Sequence, residues 1–105
     1  MDWVTTKVET VEHPGGSQER TVVRTGEVLG DSLFVVAEYP EENCWATFHS
    51  PTGLYVFKGS ERQSRFFAKR IAEVDTPGWD FGRGTIPLAC SRALRDCRSS
   101  ASLIG

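Results

Sequence analysis

Polar and apolar residues alternate along the first half of the chain and then switch to a helical repeat near Gly59. Val4, Thr6, Val8 and Thr10 share one side of residues 3–12, while Thr5, Lys7 and Glu9 share the other. Period-two spacing with many β-branched residues predicts a strand. His13-Pro14-Gly15-Gly16 breaks it, and Thr21, Val22, Val23 and Thr25 resume within a second strand over 20–29. Residues 32–39 contain Leu33, Phe34, Val35, Val36 and Ala37, apolar on both sides, as in a strand covered on two faces. Residues 44–49 and 54–58 complete five strands, separated by Pro40-Glu41-Glu42-Asn43 and by Ser50-Pro51-Thr52-Gly53. Connections this short make successive strands antiparallel.

Beyond Gly59, Ser60 and Gln63 form a capping-box pattern, and Phe67, Ile71 and Val74 recur at spacings of four and three. The segment 60–74 therefore reads as an amphipathic helix that Pro77-Gly78 terminates. Cys90, Leu94, Cys97, Ala101 and Ile104 repeat at 4-3-4-3 spacing, which places a short C-terminal helix within 88–103, although small residues and serines also favour fraying there. The fold class is α+β. It has two layers, an antiparallel meander of about five strands with one helix packed on one face. Residues 1–76 form the meander-plus-helix core, and 77–105 form a Gly/aromatic loop and tail packing on the same single domain. The expected core is Val8, Val23, Leu33, Val35, Val36, Trp45, Phe48, Val56, Phe57, Phe67, Ile71 and Val74.

A chain of 105 residues, 39% hydrophobic and 25% charged, has ordinary globular composition. The net charge of −2 gives no global attraction to nucleic acid or membrane, but its distribution is uneven. Residues 1–57 set Lys7, Arg20 and Arg24 against nine acids, a net of −6. Residues 58–70 set Lys58, Arg62, Arg65, Lys69 and Arg70 against Glu61, a net of +4, and the remainder balances. An acidic sheet region and one basic helix are expected. No apolar run reaches the roughly 18–20 residues of a membrane span, and no secretory pattern opens the chain. Three cysteines without a disulfide spacing suggest free thiols, so a cytoplasmic protein is expected.

No catalytic motif is present. Gly82-Arg83-Gly84 lacks the Lys-Ser/Thr that would make a phosphate loop, and there is neither a zinc-protease helix motif nor a nucleophile elbow. Cys44, His49, Cys90 and Cys97 are the right residue types for zinc, but no close Cys-x-x-Cys pair occurs, so neither metal nor cofactor is expected. The acidic stretch Glu38-Tyr39-Pro40-Glu41-Glu42 reads as a solubilising loop tip.

The leading expectation is a small non-catalytic binding or accessory protein. It acts through a surface contact with a protein partner or with a second copy of itself. The first candidate surface is Lys58, Arg62, Arg65, Lys69 and Arg70 on or beside the helix. Aligned guanidinium and ammonium groups suit phosphates or an acidic protein surface. The alternative is nucleic-acid binding by that basic face, with Trp45, Tyr55 and Trp79 as stacking surfaces. In that case replacing Arg62, Arg65 and Lys69 should abolish binding and leave the domain folded. A further alternative is a ligand or enzymatic pocket between the sheet and loop 75–87, with Trp45, Tyr55, Trp79 and Phe81 as its aromatics. A homodimer is considered because an open sheet with one helix leaves a face or an edge to cover. Residues 44–74 resemble the strand–strand–helix end of the small DNA-binding domains of phage integrases. Those domains read DNA from basic strands, where this chain has only Lys58, so their function is not carried over.

Overall fold

The structure, a computed structural model, describes residues 2–104. Five strands follow one another in the order of the chain: β1 (Trp3–Glu12), β2 (Arg20–Leu29), β3 (Phe34–Tyr39), β4 (Cys44–His49) and β5 (Tyr55–Gly59). Every neighbouring pair is antiparallel. A 3-10 turn at Pro40–Glu42 joins β3 to β4, and Asn43 closes it with φ 55°, a conformation asparagine tolerates. Two helices complete the second layer, α1 (Glu61–Ala72) and α2 (Leu88–Ser102). Among the described residues, no helix is long and apolar enough to cross a membrane.

The sheet is curled rather than flat. β1 and β2 pair along ten residues each, from Trp3–Leu29 to Glu12–Arg20. β2 pairs with β3 only through Glu27–Val36 and Val28–Val35. Beyond that point the hairpin bends across the sheet. Val11 donates its N–H to the Gly53 carbonyl in the β4–β5 turn at 2.8 Å. Gly53 has φ +73°, and a Cβ there would lie 2.7 Å from the Glu9 carbonyl oxygen, so only glycine fits this closure.

The curl produces two cores. Inside it, Val8, Val28, Val35, Ala37, Ala46 and Phe48 pack together with no helix involved. On the other face, Phe34, Val56 and Phe57 meet Phe67 and Ile71 of α1 and Cys90, Leu94, Cys97 and Ala101 of α2. The Phe57 and Phe67 rings stack at 5.2 Å and 13°. The face left open in a flat meander is thus covered by the chain's own hairpin, and the α2 seam is buried in the same chain. Neither calls for a second copy.

Local signals account for both helices. Ser60 Oγ accepts from the Gln63 N–H at 3.1 Å, and Gln63 Oε1 accepts from the Ser60 N–H at 2.9 Å. This is the expected capping box. α1 ends at Ala72, two residues before the expected limit, because its last turn tightens: Val74 donates to the Ile71 carbonyl. Val74 is consequently only half-buried. α2 buries Cys90, Leu94, Cys97 and Ala101, while Ile104 lies beyond its end. There the Ile104 carbonyl accepts from Gln63 Nε2 at 2.7 Å.

Three further core expectations need correction. Val23 is 58% exposed, because α1 reaches β2 only near Glu27 and leaves the outer side of the hairpin bare. Leu33 and Trp45 are half-buried, and Phe34 takes the central position instead of Leu33.

Candidate functional site

The five basic residues separate into two groups. Lys58 Nζ bonds Glu42 Oε1 at 2.7 Å and lies 4.5 Å from the centre of the Tyr55 ring. The bond to Glu42 raises the Lys58 pKa. Arg65 is held by Glu27 of β2 and by Glu61 one turn earlier, the latter at 2.9 Å. Its guanidinium lies over the Trp3 and Trp45 rings at 4.9 and 5.8 Å. Burial alone would lower the Arg65 pKa, but the two carboxylates outweigh it and raise it. Lys58 and Arg65 are therefore fastenings. Arg65 ties α1 to the start of the hairpin, so replacing it would loosen the fold as well as any contact surface.

Arg62, Lys69 and Arg70 stand differently. All three are exposed, and among the described residues none forms an ion pair. Arg70 lies 6.0 Å from the Phe66 ring centre. α2 adds exposed Arg92, Arg95 and Arg98. Arg98 donates to the Val56 carbonyl at 2.7 Å, and Arg95 has only the solvent-exposed Asp96 at 3.9 Å. Across the rest of the molecule, Arg20, Arg24 and Arg83 are engaged by Glu12, Glu41 and Glu19.

The four candidate pocket aromatics do not share a pocket. Trp79 stands edge-on to Phe34 at 5.3 Å and lines a cavity of about 260 Å³ with Leu29, Leu33, Ile71 and Val74. Phe81 is buried and stacks on His49 at 4.0 Å and 11°. Trp45 lies beside β2 and β3, and Tyr55 lies near Tyr39 below the hairpin tip. Loop 75–87 folds back on the core as its aromatics suggested, and it brings one of them, not both, to the cleft.

His49 is fully buried at the end of β4. Its Nε2 lies 2.5 Å from the Trp79 carbonyl, an obligate acceptor, so the proton sits on Nε2. Nδ1 then accepts from Thr52 Oγ1 at 2.8 Å, and that hydroxyl in turn accepts from the Leu54 N–H at 3.3 Å. Burial lowers the His49 pKa, opposed in part by the Trp79 carbonyl. Both ring nitrogens are used in joining loop 75–87 to the β4–β5 turn. His49 here is a clasp whose nitrogens are not free for a metal or substrate. Cys90 lies 3.5 Å from the Pro77 carbonyl, and burial raises the thiol pKa of Cys44, Cys90 and Cys97 alike. Among the described residues, no three of His, Cys, Asp and Glu gather as metal ligands.

Sequence reasoning missed Arg24. Its side chain is 8% exposed inside the curl. Nε donates to Thr10 Oγ1 at 2.9 Å, and the terminal nitrogens donate to Glu41 at 2.6 and 3.1 Å and to Glu12 at 3.3 Å. The guanidinium lies 4.8 Å from the Tyr39 ring centre and 5.4 Å from that of Phe48. Its bonds pull the Glu41 carboxyl down to about 2, while Glu41 raises the Arg24 pKa. A base within a Val-Thr strand was the available signal. Its position opposite Val8, on the side that period two assigns to the interior, needed the register to be noticed.

Searches against protein-family models, curated proteins and solved structures find no match.

Proposed function

We propose that this protein acts without catalysis, as a binding module that offers the outer side of its helical layer to an acidic protein surface. One observation carries the reading. Arg62, Lys69 and Arg70 are exposed and unpaired among the described residues, whereas Lys58 and Arg65 beside them are bonded to glutamates. Charged side chains left free on one face attract an opposite charge without disturbing the fold, and they raise the rate of encounter. Arg92 and Arg95 extend the same sign onto α2.

The test uses the whole chain and a variant with Arg62, Lys69 and Arg70 changed to Ala, each titrated with a polyglutamate peptide and with single- and double-stranded oligonucleotides. The parent should bind polyglutamate and the variant should not, with unchanged circular dichroism. Equal binding by both proteins refutes the surface. Tighter binding to oligonucleotide, with affinity falling steeply as salt rises, would move the reading to nucleic acid.

A further inference from the structure

The curl that brings β1 to Gly53 also leaves β2 with an unused edge. Because the Val11 N–H reaches the Gly53 carbonyl, the backbone of Val11 points away from β2. In an antiparallel pair the N–H and C=O of one residue point the same way, and the direction alternates along the strand. Val11 faces Thr21, Glu9 faces Val23 and Lys7 faces Thr25. The backbone groups of Thr21, Val23 and Thr25 therefore point away from β1 as well. On that side β2 meets β3 only at Glu27 and Val28. Extending the register would pair Thr25 with Glu38, but β2 lifts off at Gly26. A Cβ at Gly26 would lie 2.4 Å from the Val36 carbonyl oxygen and 3.1 Å from Ala37 Cβ. Among the described residues, no turn, loop or side-chain hydrogen bond reaches the backbone of Thr21, Val23 or Thr25.

This edge differs from the outer edge of β1. There Lys7 and Glu9 interleave charges, a common guard against strand addition, and Gly53 occupies the far end. The β2 edge presents Thr21, Val23 and Thr25, all exposed and β-branched, and one charge reaches it, Lys7 Nζ donating to Thr25 Oγ1 at 3.2 Å. Next to it an open cavity of about 390 Å³ is lined by Thr25, Gly26, Glu27, Glu38, Trp45 and Arg24, whose own charge is matched by Glu12 and Glu41. Glu38 lies directly across from Trp45 and is exposed, without an ion pair among the described residues. Arg65 already lies 5.8 Å from the Trp45 ring centre but is held by Glu27 and Glu61, so the Glu38 carboxylate beside the indole suits a further guanidinium or ammonium group. Residues 1–57, which supply the edge, carry a net charge of −6, and bases from outside that stretch pair with three of its acids, Glu19, Glu27 and Glu42. A second copy would set like charges against each other there, whereas a basic segment would be drawn in.

We propose that β2 accepts an extended basic segment of a partner protein as an added strand along Thr21–Thr25, with one Arg or Lys side chain seated between Trp45 and Glu38. Main-chain hydrogen bonds would supply affinity, and the pocket would supply selectivity. This surface lies on the acidic part of the molecule and does not depend on the helical face.

The probe is a capped synthetic peptide of about nine residues, the length of an ordinary strand, alternating Thr and Val around a central Arg. Amide exchange and chemical shifts are followed by NMR on the whole chain. The peptide should slow exchange at Thr21, Val23 and Thr25 and shift the Trp45 indole. Glu38→Lys should weaken binding by about tenfold or more. Val23→Pro should abolish it, since the Val23 N–H lies outside the β1–β2 ladder and its loss leaves that ladder intact. Should Val23→Pro not fold, a peptide N-methylated at alternate amides gives the same decision with the parent protein. The proposal is overturned by an absence of protection at millimolar peptide, by protection mapped to other strands, or by binding indifferent to Glu38→Lys. Protection that grows with protein concentration alone also overturns it, and would assign the edge to a second copy.

Discussion

Changing Arg24 to Ala deletes a side chain that links β1, β2 and the turn after β3. Four hydrogen bonds disappear, to Thr10, Glu12 and twice to Glu41, together with the contacts over Tyr39 and Phe48. Breaking a buried ion pair by removing one partner costs about 3–5 kcal/mol, mostly because the other charge stays buried. The lower end applies here. The Glu41 side chain is 39% exposed and can turn to water, and Glu12 keeps Arg20 at 2.7 Å. A loss of about 3 kcal/mol is expected, which lowers the midpoint of thermal unfolding by roughly 10–20 °C in a domain of this size. Urea and thermal unfolding followed by circular dichroism give both numbers. The double change Arg24→Met with Glu12→Leu leaves no charge buried and should be more stable than Arg24→Ala by about 1 kcal/mol or more. If Arg24→Ala costs less than about 1 kcal/mol, or if the double variant is the less stable of the two, the reasoning fails.

Stability should fall with acidity through His49. Burial holds its folded pKa below the unfolded value of 6.5, so the unfolded chain takes up the proton first. Its full contribution is present above pH 6.5 and declines below it, by at most about 1.4 kcal/mol per pH unit until the folded pKa is reached; His49→Gln should flatten that part of a urea-melt series. Ser64 is buried, and its hydroxyl has no partner among the described residues, so Ser64→Ala should raise stability by about 1 kcal/mol in chemical denaturation. Gly26→Ala should cost about 1–3 kcal/mol in the same measurement, because the new methyl meets the Val36 carbonyl and Ala37.

Alternation and capping made the elements legible. The five strands, the Ser60–Gln63 cap and the Cys90–Ala101 seam follow from spacing alone, because each is set by neighbours within one turn or one hairpin. The curl was not legible. It depends on Gly26 and Gly53, two glycines whose need appears only when strands distant in sequence press against them. The misplacement of Val23 and the oversight of Arg24 share that origin, since bending the hairpin turns its two sides into a covered and an uncovered one. The basic face is legible as charge, and the acidic sheet as a source of partners, as Glu42 is for Lys58, but the partner of Arg65 is not. Nothing near Arg65 in sequence announces Glu27, which arrives from β2. His49 likewise looked like a strand-end residue, and only the returning loop shows what holds it.

The bond from Val11 to Gly53 has a bearing on biosynthesis. The first hairpin leaves the ribosome with its inner side, including Val8 and Arg24, still uncovered. Its anchor, Gly53, follows 24 residues after Leu29 completes the hairpin, a delay of roughly 1–5 seconds at ordinary elongation rates. During that interval the nascent chain exposes a long β-rich ribbon, so chaperone demand should peak between the emergence of Leu29 and that of Gly53 and end once the fourth and fifth strands close over it.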